Sequence, residues 1–160
     1  MSELEHTIQA QLAEFKIQFE PQKSMPFQTW PWRQPRSHAL KCDFYLPQGN
    51  IYVEVKGFMT IHAMAKMSWL CRQTDFNYYI LQGTEEDWNP YLCSPQGIVR
   101  GGIPSSKVKI REQNISHQVE ELAWLIHNEP AKTSSLSLAR LKDYISTRIS
   151  EYHAWNGEWY

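Results

Sequence analysis

The segment Lys41–Gly57, K-C-D-F-Y-L-P-Q-G-N-I-Y-V-E-V-K-G, places the tightest limits on what this chain can fold into. Two short β-prone runs flank Leu46–Asn50, which contains the proline and glycine typical of a turn. We therefore predict a β-hairpin, with Asp43 on the first strand and Glu54 and Lys56 on the second.

The alternation of a strand determines which of these side chains share a face. Glu54 and Lys56 point to one face, and Val55 between them points to the other. Pairing of the two strands brings Asp43 close to Glu54. Two carboxylates on a half-buried face are costly unless a cation neutralises them, and a hard divalent cation with oxygen ligands would do so.

Composition narrows the class of protein. The chain has 160 residues, 42% of them hydrophobic, which suits one domain with a substantial core. Sixteen Lys and Arg against seventeen Asp and Glu give a net charge of −1, which argues against a purely electrostatic nucleic-acid binder. A nuclease stays compatible, because an acidic metal site lowers the total while basic residues line a groove.

Cysteine usage and the first residues bear on localisation. Cys42, Cys71 and Cys93 form no CxxC pattern, and an odd count at wide spacing indicates reduced thiols in a cytoplasmic protein. The stretch MSELEHTIQA predicts no signal peptide, and no apolar run reaches the roughly 18 residues of a membrane span.

The N-terminal half predicts a mixed α/β core. Ser2–Lys16 has the apolar spacing of a helix, and Glu5 lies in its first turn, just outside the apolar stripe. Ser2 and Glu5 fit a capping box, so Glu5 either caps the helix or faces the core boundary. The other predicted elements are an edge strand Phe15–Glu20, the hairpin, a helix Thr60–Arg72 and a central strand Asn77–Leu81.

The C-terminal half contains further predicted elements. We predict an irregular stretch Gly83–Ser106, a short strand Val108–Arg111 and two helices, Ser116–Asn128 and Leu136–Tyr152. Along that strand Lys107, Lys109 and Arg111 would form a small basic stripe. The helix pair is a DNA-binding element, a dimerisation element or a cover for the sheet. The predicted organisation is a core over 1–82, a connection over 83–115, which can include a further core strand, and a helical extension over 116–160.

The hairpin has the residue types that phosphodiester hydrolysis requires, namely metal ligands and a proton-transfer group. Asp43 and Glu54 would be anionic ligands, and the backbone carbonyl of Val55 a neutral one. Lys56 would orient or deprotonate the attacking water or stabilise the pentavalent phosphate, and Glu5 would be a further ligand or a proton acceptor. Oxygen ligands favour Mg²⁺ or Mn²⁺ over Zn²⁺.

Two separated stretches resemble the PD-(D/E)XK nuclease superfamily, and within it most closely the phage-type endonuclease I, a Holliday-junction resolvase. D-F-Y-L-P-Q-G-N-I-Y-V-E-V-K-G is similar to that family's D-F-x-L-P-x-G-I-x-V-E-x-K-G, with one residue added in the turn and Cys42 where the superfamily usually has proline. The stretch S-E-L-E-H-T-I-Q-A-Q-L-A-E-F-K-I-Q-F-E is similar to its first helix and strand. The resemblance covers roughly residues 2–82.

The resemblance implies a restriction-endonuclease-like core, Mg²⁺-dependent DNA cleavage and a homodimer. Glu5, Asp43, Glu54 and Lys56 match the family's catalytic positions, and the Val55 carbonyl matches a metal ligand. The family exchanges its first helix and strand between subunits through an extended bridge, and the proline-rich stretch Pro21–Leu40 lies where such a bridge would be.

Beyond residue 82 the chain departs from the family, so two alternatives stay open: a sequence-specific endonuclease of restriction or homing type, and a non-catalytic nucleic-acid-binding protein with a nuclease-like fold. Basic residues flanking the hairpin and the predicted helix that follows it are the best candidates for phosphate contacts. They are Arg33, Arg36, Lys41, Lys66 and Arg72.

Overall fold

The computed structural model describes residues 3–26, 40–56, 61–73, 75–82, 93–94, 97–98 and 105–148. Four α-helices and six short strands lie in these ranges, a mixed α/β protein as predicted. In chain order they are α1 (Glu3–Glu14), β1 (Glu20–Pro21), β2 (Phe44–Leu46), β3 (Ile51–Lys56), α2 (Ile61–Cys71), β4 (Asn77–Gln82), β5 (Cys93–Ser94), β6 (Gly97–Ile98), α3 (Ser105–Asn128) and α4 (Thr133–Arg148).

The main sheet has the strand order β1-β2-β3-β4, and β5 and β6 form a separate antiparallel pair. Strands β2 and β3 pair antiparallel, which confirms the predicted hairpin, while β3 and β4 run parallel. The hairpin turn is a 3-10 turn over Pro47–Gly49 that ends at Asn50 with φ 50°. Asparagine tolerates this left-handed conformation better than most residues. Helix α2 provides the crossover that a parallel pair requires.

Apolar side chains cover both faces of this sheet, so the molecule has three layers. Helices α1 and α3 pack on one face, and α2 and α4 on the other. On the first face, Leu4, Ile8 and Leu12 meet Phe44, Val53 and Tyr79, together with Ile115, Val119 and Leu122. On the second, Met64, Met67 and Leu70 meet Cys42, Tyr78 and Ile80, together with Leu141.

The end of α1 corrects the predicted strand Phe15–Glu20, because only its last residue is in a strand. Lys16 adopts φ 58°, and its N–H bonds to the carbonyl of Ala13 while that of Ile17 bonds to Leu12. These two bonds form a Schellman motif, which satisfies the last helical carbonyls and turns the chain. The alternating apolar residues of this stretch therefore belong to the end of a helix and the turn after it, not to a strand.

Strand β4 was predicted to be central, yet among the described strands of the main sheet it lies at the edge. Side chains of α3 and α4 bind the outward-facing backbone groups of β4, so the edge stays satisfied without a further strand. Ser134 Oγ accepts from the Tyr78 N–H at 2.9 Å, and Ser137 Oγ from the Ile80 N–H at 3.2 Å. Arg140 donates to the Ile80 carbonyl, and the Gln118 amide pairs with both backbone groups of Gln82.

Two predictions for the C-terminal half were wrong. Helix α3 begins at Ser105, so Val108–Arg111 is helical and the basic residues around it do not form a strand face. Ser116 is consequently inside a helix of 24 residues and does not begin one. Of the three roles considered for the helix pair, packing on the sheet is the one seen. Within the described residues, no helix combines the length and apolarity needed to cross a membrane.

The capping of β4 leads to a stability prediction. Ser137→Ala should lower the free energy of unfolding by about 1–2 kcal/mol, because the buried N–H of Ile80 loses its acceptor. Ser135→Ala is the matched control, since that exposed hydroxyl bonds only within its own turn, to the Lys132 carbonyl. Urea denaturation of both variants measures the difference, and equal stability of the two would contradict the proposed role of Ser137.

Candidate active site

Asp43 lies at the point where the pairing of β2 with β3 ends. Its N–H donates to the Val53 carbonyl at 3.1 Å, and its Oδ2 accepts from the Val55 N–H at 2.7 Å. The carboxylate thus takes the place of the next backbone acceptor in the ladder. Because the N–H and C=O of one strand residue lie on the same edge, the Val55 carbonyl also faces the edge where Asp43 lies.

Glu54 and Lys56 form an ion pair on the neighbouring strand, as their shared face predicted. Their charged atoms, Oε1 and Nζ, are 3.3 Å apart. The side chain of Glu54 is 12% exposed and that of Lys56 is 24% exposed. An acid this deeply buried needs a partner, because a lone charge in the interior is strongly unfavourable.

Glu5 joins this group from the first turn of α1. Its carboxyl is close enough to that of Asp43 for a hydrogen bond between the two side chains. The amide of Gln22 donates to Glu5 Oε1 at 3.4 Å. The helix dipole favours a negative charge in a first turn, which partly offsets the proximity of two acids. Ser2, the predicted capping partner of Glu5, lies outside the described residues.

The electrostatics of the site centre on Asp43. Burial, and then the charges of Glu54 and Glu5, raise the pKa of its carboxyl to about 7, although the hydrogen bond from Val55 works in the opposite direction. At neutral pH this acid therefore keeps its proton more readily than an ordinary aspartate does. A bound cation would favour its ionised form.

Gln22 is a site residue that sequence reasoning missed. Its backbone has φ 53°, its N–H donates to the Asp43 carbonyl at 3.0 Å, and its side chain reaches Glu5. Gln22 thus links the helix acid to the hairpin acid. A left-handed backbone is usually signalled by glycine or asparagine, so a glutamine gives no such signal.

The oxygen donors around Asp43 suit a divalent cation. The described residues contain no cluster of three or more His, Cys, Asp or Glu side chains in a metal-holding arrangement. They do hold Asp43 Oδ2 2.7 Å from the Val55 nitrogen, with Glu54 close enough to raise the pKa of the Asp43 carboxyl. Mg²⁺ fits such a set, because it is commonly held by one or two carboxylates and keeps several waters or phosphate oxygens.

The basic residues predicted to contact phosphate are only partly described. Lys41, two positions before Asp43, is exposed, and its backbone forms an isolated β-bridge with Ser24. Lys66 is half-buried on α2, and Arg72 is exposed just after that helix. Arg33 and Arg36, together with most of the proline-rich stretch, lie outside the described residues. Phosphate contact by all five stays a prediction.

Cys42, next to Asp43, is a buried free thiol, and Cys71 is another. Burial, followed by the charge of Glu54, raises the pKa of the Cys42 thiol to about 12. A thiol with such a pKa is protonated at neutral pH and is a poor nucleophile.

No protein family, curated protein or solved structure gives a significant match to the chain. The functional interpretation therefore rests on the residues of the site and on the motifs they form.

Proposed function

We propose that the protein is a metal-dependent DNA endonuclease with a restriction-endonuclease-like core, which hydrolyses phosphodiester bonds in branched or otherwise structured DNA. One observation carries the proposal. Three separate parts of the chain bring together three acids and a lysine: Glu5 from α1, Asp43 before β2, and Glu54 and Lys56 from β3. These residue types meet the needs of phosphodiester hydrolysis.

Each residue has a role that its position allows. Asp43, Glu54 and the Val55 carbonyl would hold Mg²⁺ or Mn²⁺ on one edge of the hairpin. The bound ion would supply an activated water and offset charge on the phosphate. The ammonium of Lys56 would orient that water or stabilise the pentavalent phosphate, and Glu5 would accept a proton or complete the ligand set.

The order of elements also supports the proposal. An antiparallel hairpin, a crossover helix and a parallel strand follow α1, and this order agrees with the resemblance to the PD-(D/E)XK superfamily. The acids converge at the end of β3 just before the crossover. In open α/β sheets, sites are commonly found outside the carboxyl ends of strands.

The substrate class is tested with three DNAs of matched sequence: a four-way junction, a linear duplex and a single strand, each with Mg²⁺, Mn²⁺ or EDTA. We expect metal-dependent cleavage, strongest on the junction. Cleavage of the duplex at one sequence would favour the restriction- or homing-type alternative. Binding of DNA without cleavage in any metal would favour the non-catalytic alternative and contradict the proposal.

The proposal includes a homodimer that exchanges its N-terminal helix. A single chain already places Glu5 beside Asp43, and exchange would build the same contact between two chains. Mixing inactive Glu5→Gln and Asp43→Asn proteins, unfolded and refolded together, distinguishes the two arrangements. In an exchanged heterodimer one site regains both native acids, so activity should recover to about a quarter of the wild-type value. Absence of recovery, or a monomeric mass in solution, would contradict exchange while leaving the site chemistry in place.

A further inference from the structure

A buried hydroxyl without a hydrogen-bond partner lies on β4, the strand next to the one that carries Glu54. Tyr78 on β4 is fully buried, and its Oη is one of two buried side-chain polar atoms without a hydrogen-bond partner in the described part of the chain. Most buried hydroxyls are hydrogen-bonded, so an exception next to a candidate site requires an explanation.

The register of the sheet places Tyr78 next to Glu54 on the same face. Tyr78 pairs with Tyr52, and Glu54 pairs with Ile80, so Tyr78 and Glu54 are diagonal neighbours on one face of two adjacent strands. Burial and then the charge of Glu54 raise the pKa of the Tyr78 hydroxyl well above its usual range, with Asp43 a smaller contributor. The hydroxyl is therefore a neutral donor near a buried carboxylate.

The adjacent tyrosine shows the contrasting arrangement. Tyr79 points to the opposite face, where its hydroxyl donates to Glu121 Oε1 at 2.8 Å and lies 3.2 Å from the Gln118 carbonyl. Two consecutive buried tyrosines thus differ in whether their hydroxyls are satisfied. The tyrosine with the unsatisfied hydroxyl is the one on the face of the sheet that carries Glu54.

The ion pair between Glu54 and Lys56 indicates under which condition the Tyr78 hydroxyl would gain a hydrogen-bond partner. In the present structure Glu54 is bound by Lys56. In the proposed reaction Lys56 has to face water and phosphate, and Glu54 has to face the cation. Glu54 would then lose the donor that holds its carboxylate, and a second donor would keep it oriented.

We infer that Tyr78 is a positioning residue for Glu54: its hydroxyl donates a hydrogen bond to the Glu54 carboxylate when that carboxylate leaves Lys56 to serve as a metal ligand. The inference rests on the proposed metal site. It assigns a use to a hydroxyl that has no hydrogen-bond partner among the described residues.

The test compares Tyr78→Phe with Tyr79→Phe, neighbouring substitutions that each remove one buried hydroxyl. Mn²⁺ binding is titrated without DNA, and urea denaturation is measured in EDTA. We expect Tyr78→Phe to bind Mn²⁺ about 10-fold more weakly than wild type and to unfold in EDTA at the same or a higher urea concentration. We expect Tyr79→Phe to keep wild-type Mn²⁺ affinity and to unfold at lower urea.

The outcomes separate this inference from the proposed function. If wild type binds Mn²⁺ and Tyr78→Phe binds it equally well, the role of Tyr78 is overturned and the metal site stands. If wild type binds no Mn²⁺, both are overturned. If Tyr78→Phe is destabilised in EDTA as much as Tyr79→Phe, the hydroxyl already has a partner without metal, which also overturns the inference.

Discussion

Replacing Lys56 with methionine should lower the rate of DNA cleavage by about 10³-fold, the size expected when a proton-transfer or charge-stabilising group is lost. Methionine keeps most of the apolar stem and removes the ammonium, which lies 3.3 Å from Glu54 Oε1. The loss should fall on the chemical step, because Asp43, Glu54 and the Val55 carbonyl are unchanged. Single-turnover cleavage of a four-way junction with saturating Mg²⁺ measures it.

The control is Lys132→Met. Lys132 forms a comparable ion pair with Glu129 at 2.9 Å, but its side chain is 60% exposed and lies at the turn before α4. This variant should cleave at the wild-type rate, since an exposed pair contributes little to stability and lies outside the candidate site. If the cleavage rate of Lys56→Met is within about threefold of the wild-type rate, the lysine takes no part in the proposed chemistry.

Replacing Asp43 with asparagine should abolish cleavage and yet stabilise the metal-free protein at pH 8 by up to about 4 kcal/mol. Asparagine keeps an oxygen that can accept the Val55 N–H, which Asp43 Oδ2 now accepts at 2.7 Å. It removes the buried charge that faces Glu54 and Glu5. Active-site residues commonly lower stability in this way.

The pH dependence follows from the direction of the shift. The pKa of Asp43 is about 7 in the folded protein, above the value of about 3.9 for an unfolded aspartate. Between these values the folded state retains a proton that the unfolded state has released. The contribution of Asp43 to stability is therefore greatest at low pH and is lost as pH rises to about 7.

Urea denaturation in EDTA at about pH 5 and pH 8 tests this prediction. The stability of wild type should fall relative to that of Asp43→Asn as pH rises, and Mg²⁺ should restore wild type at pH 8 but not the variant. Asp75→Asn, which removes an exposed carboxylate just before β4, should follow wild type. Parallel pH profiles for wild type and Asp43→Asn would contradict the electrostatic account of the site.

Short-range sequence patterns were sufficient to predict the elements around the hairpin. Strand alternation and turn residues predicted β2, β3 and the shared face of Glu54 and Lys56, because these features depend on neighbours in sequence. The predicted helix Thr60–Arg72 and strand Asn77–Leu81, observed as Ile61–Cys71 and Asn77–Gln82, followed from periodicity and β-propensity. Each of these predictions was confirmed because the local preference and the tertiary packing agree.

Elements with ambiguous local patterns were predicted wrongly. Val108–Arg111 alternates like a strand, yet it continues a long helix whose apolar residues Ile115, Val119 and Leu122 pack on the sheet. The stretch after α1 also alternates, but Lys16 ends the helix with a left-handed turn. A short alternating run is compatible with either structure, and burial against distant residues decides between them.

The sequence by itself determined the hairpin and its Asp43, Glu54 and Lys56, since a strand's two-residue repeat places them without reference to the rest of the chain. Only the tertiary structure decided that Glu5 lies beside Asp43 and that Tyr78 lies on the face of Glu54. These contacts join positions more than twenty residues apart. They form because α1 and β4 bury their apolar faces against the hairpin, and side-chain burial of that kind has no local signature.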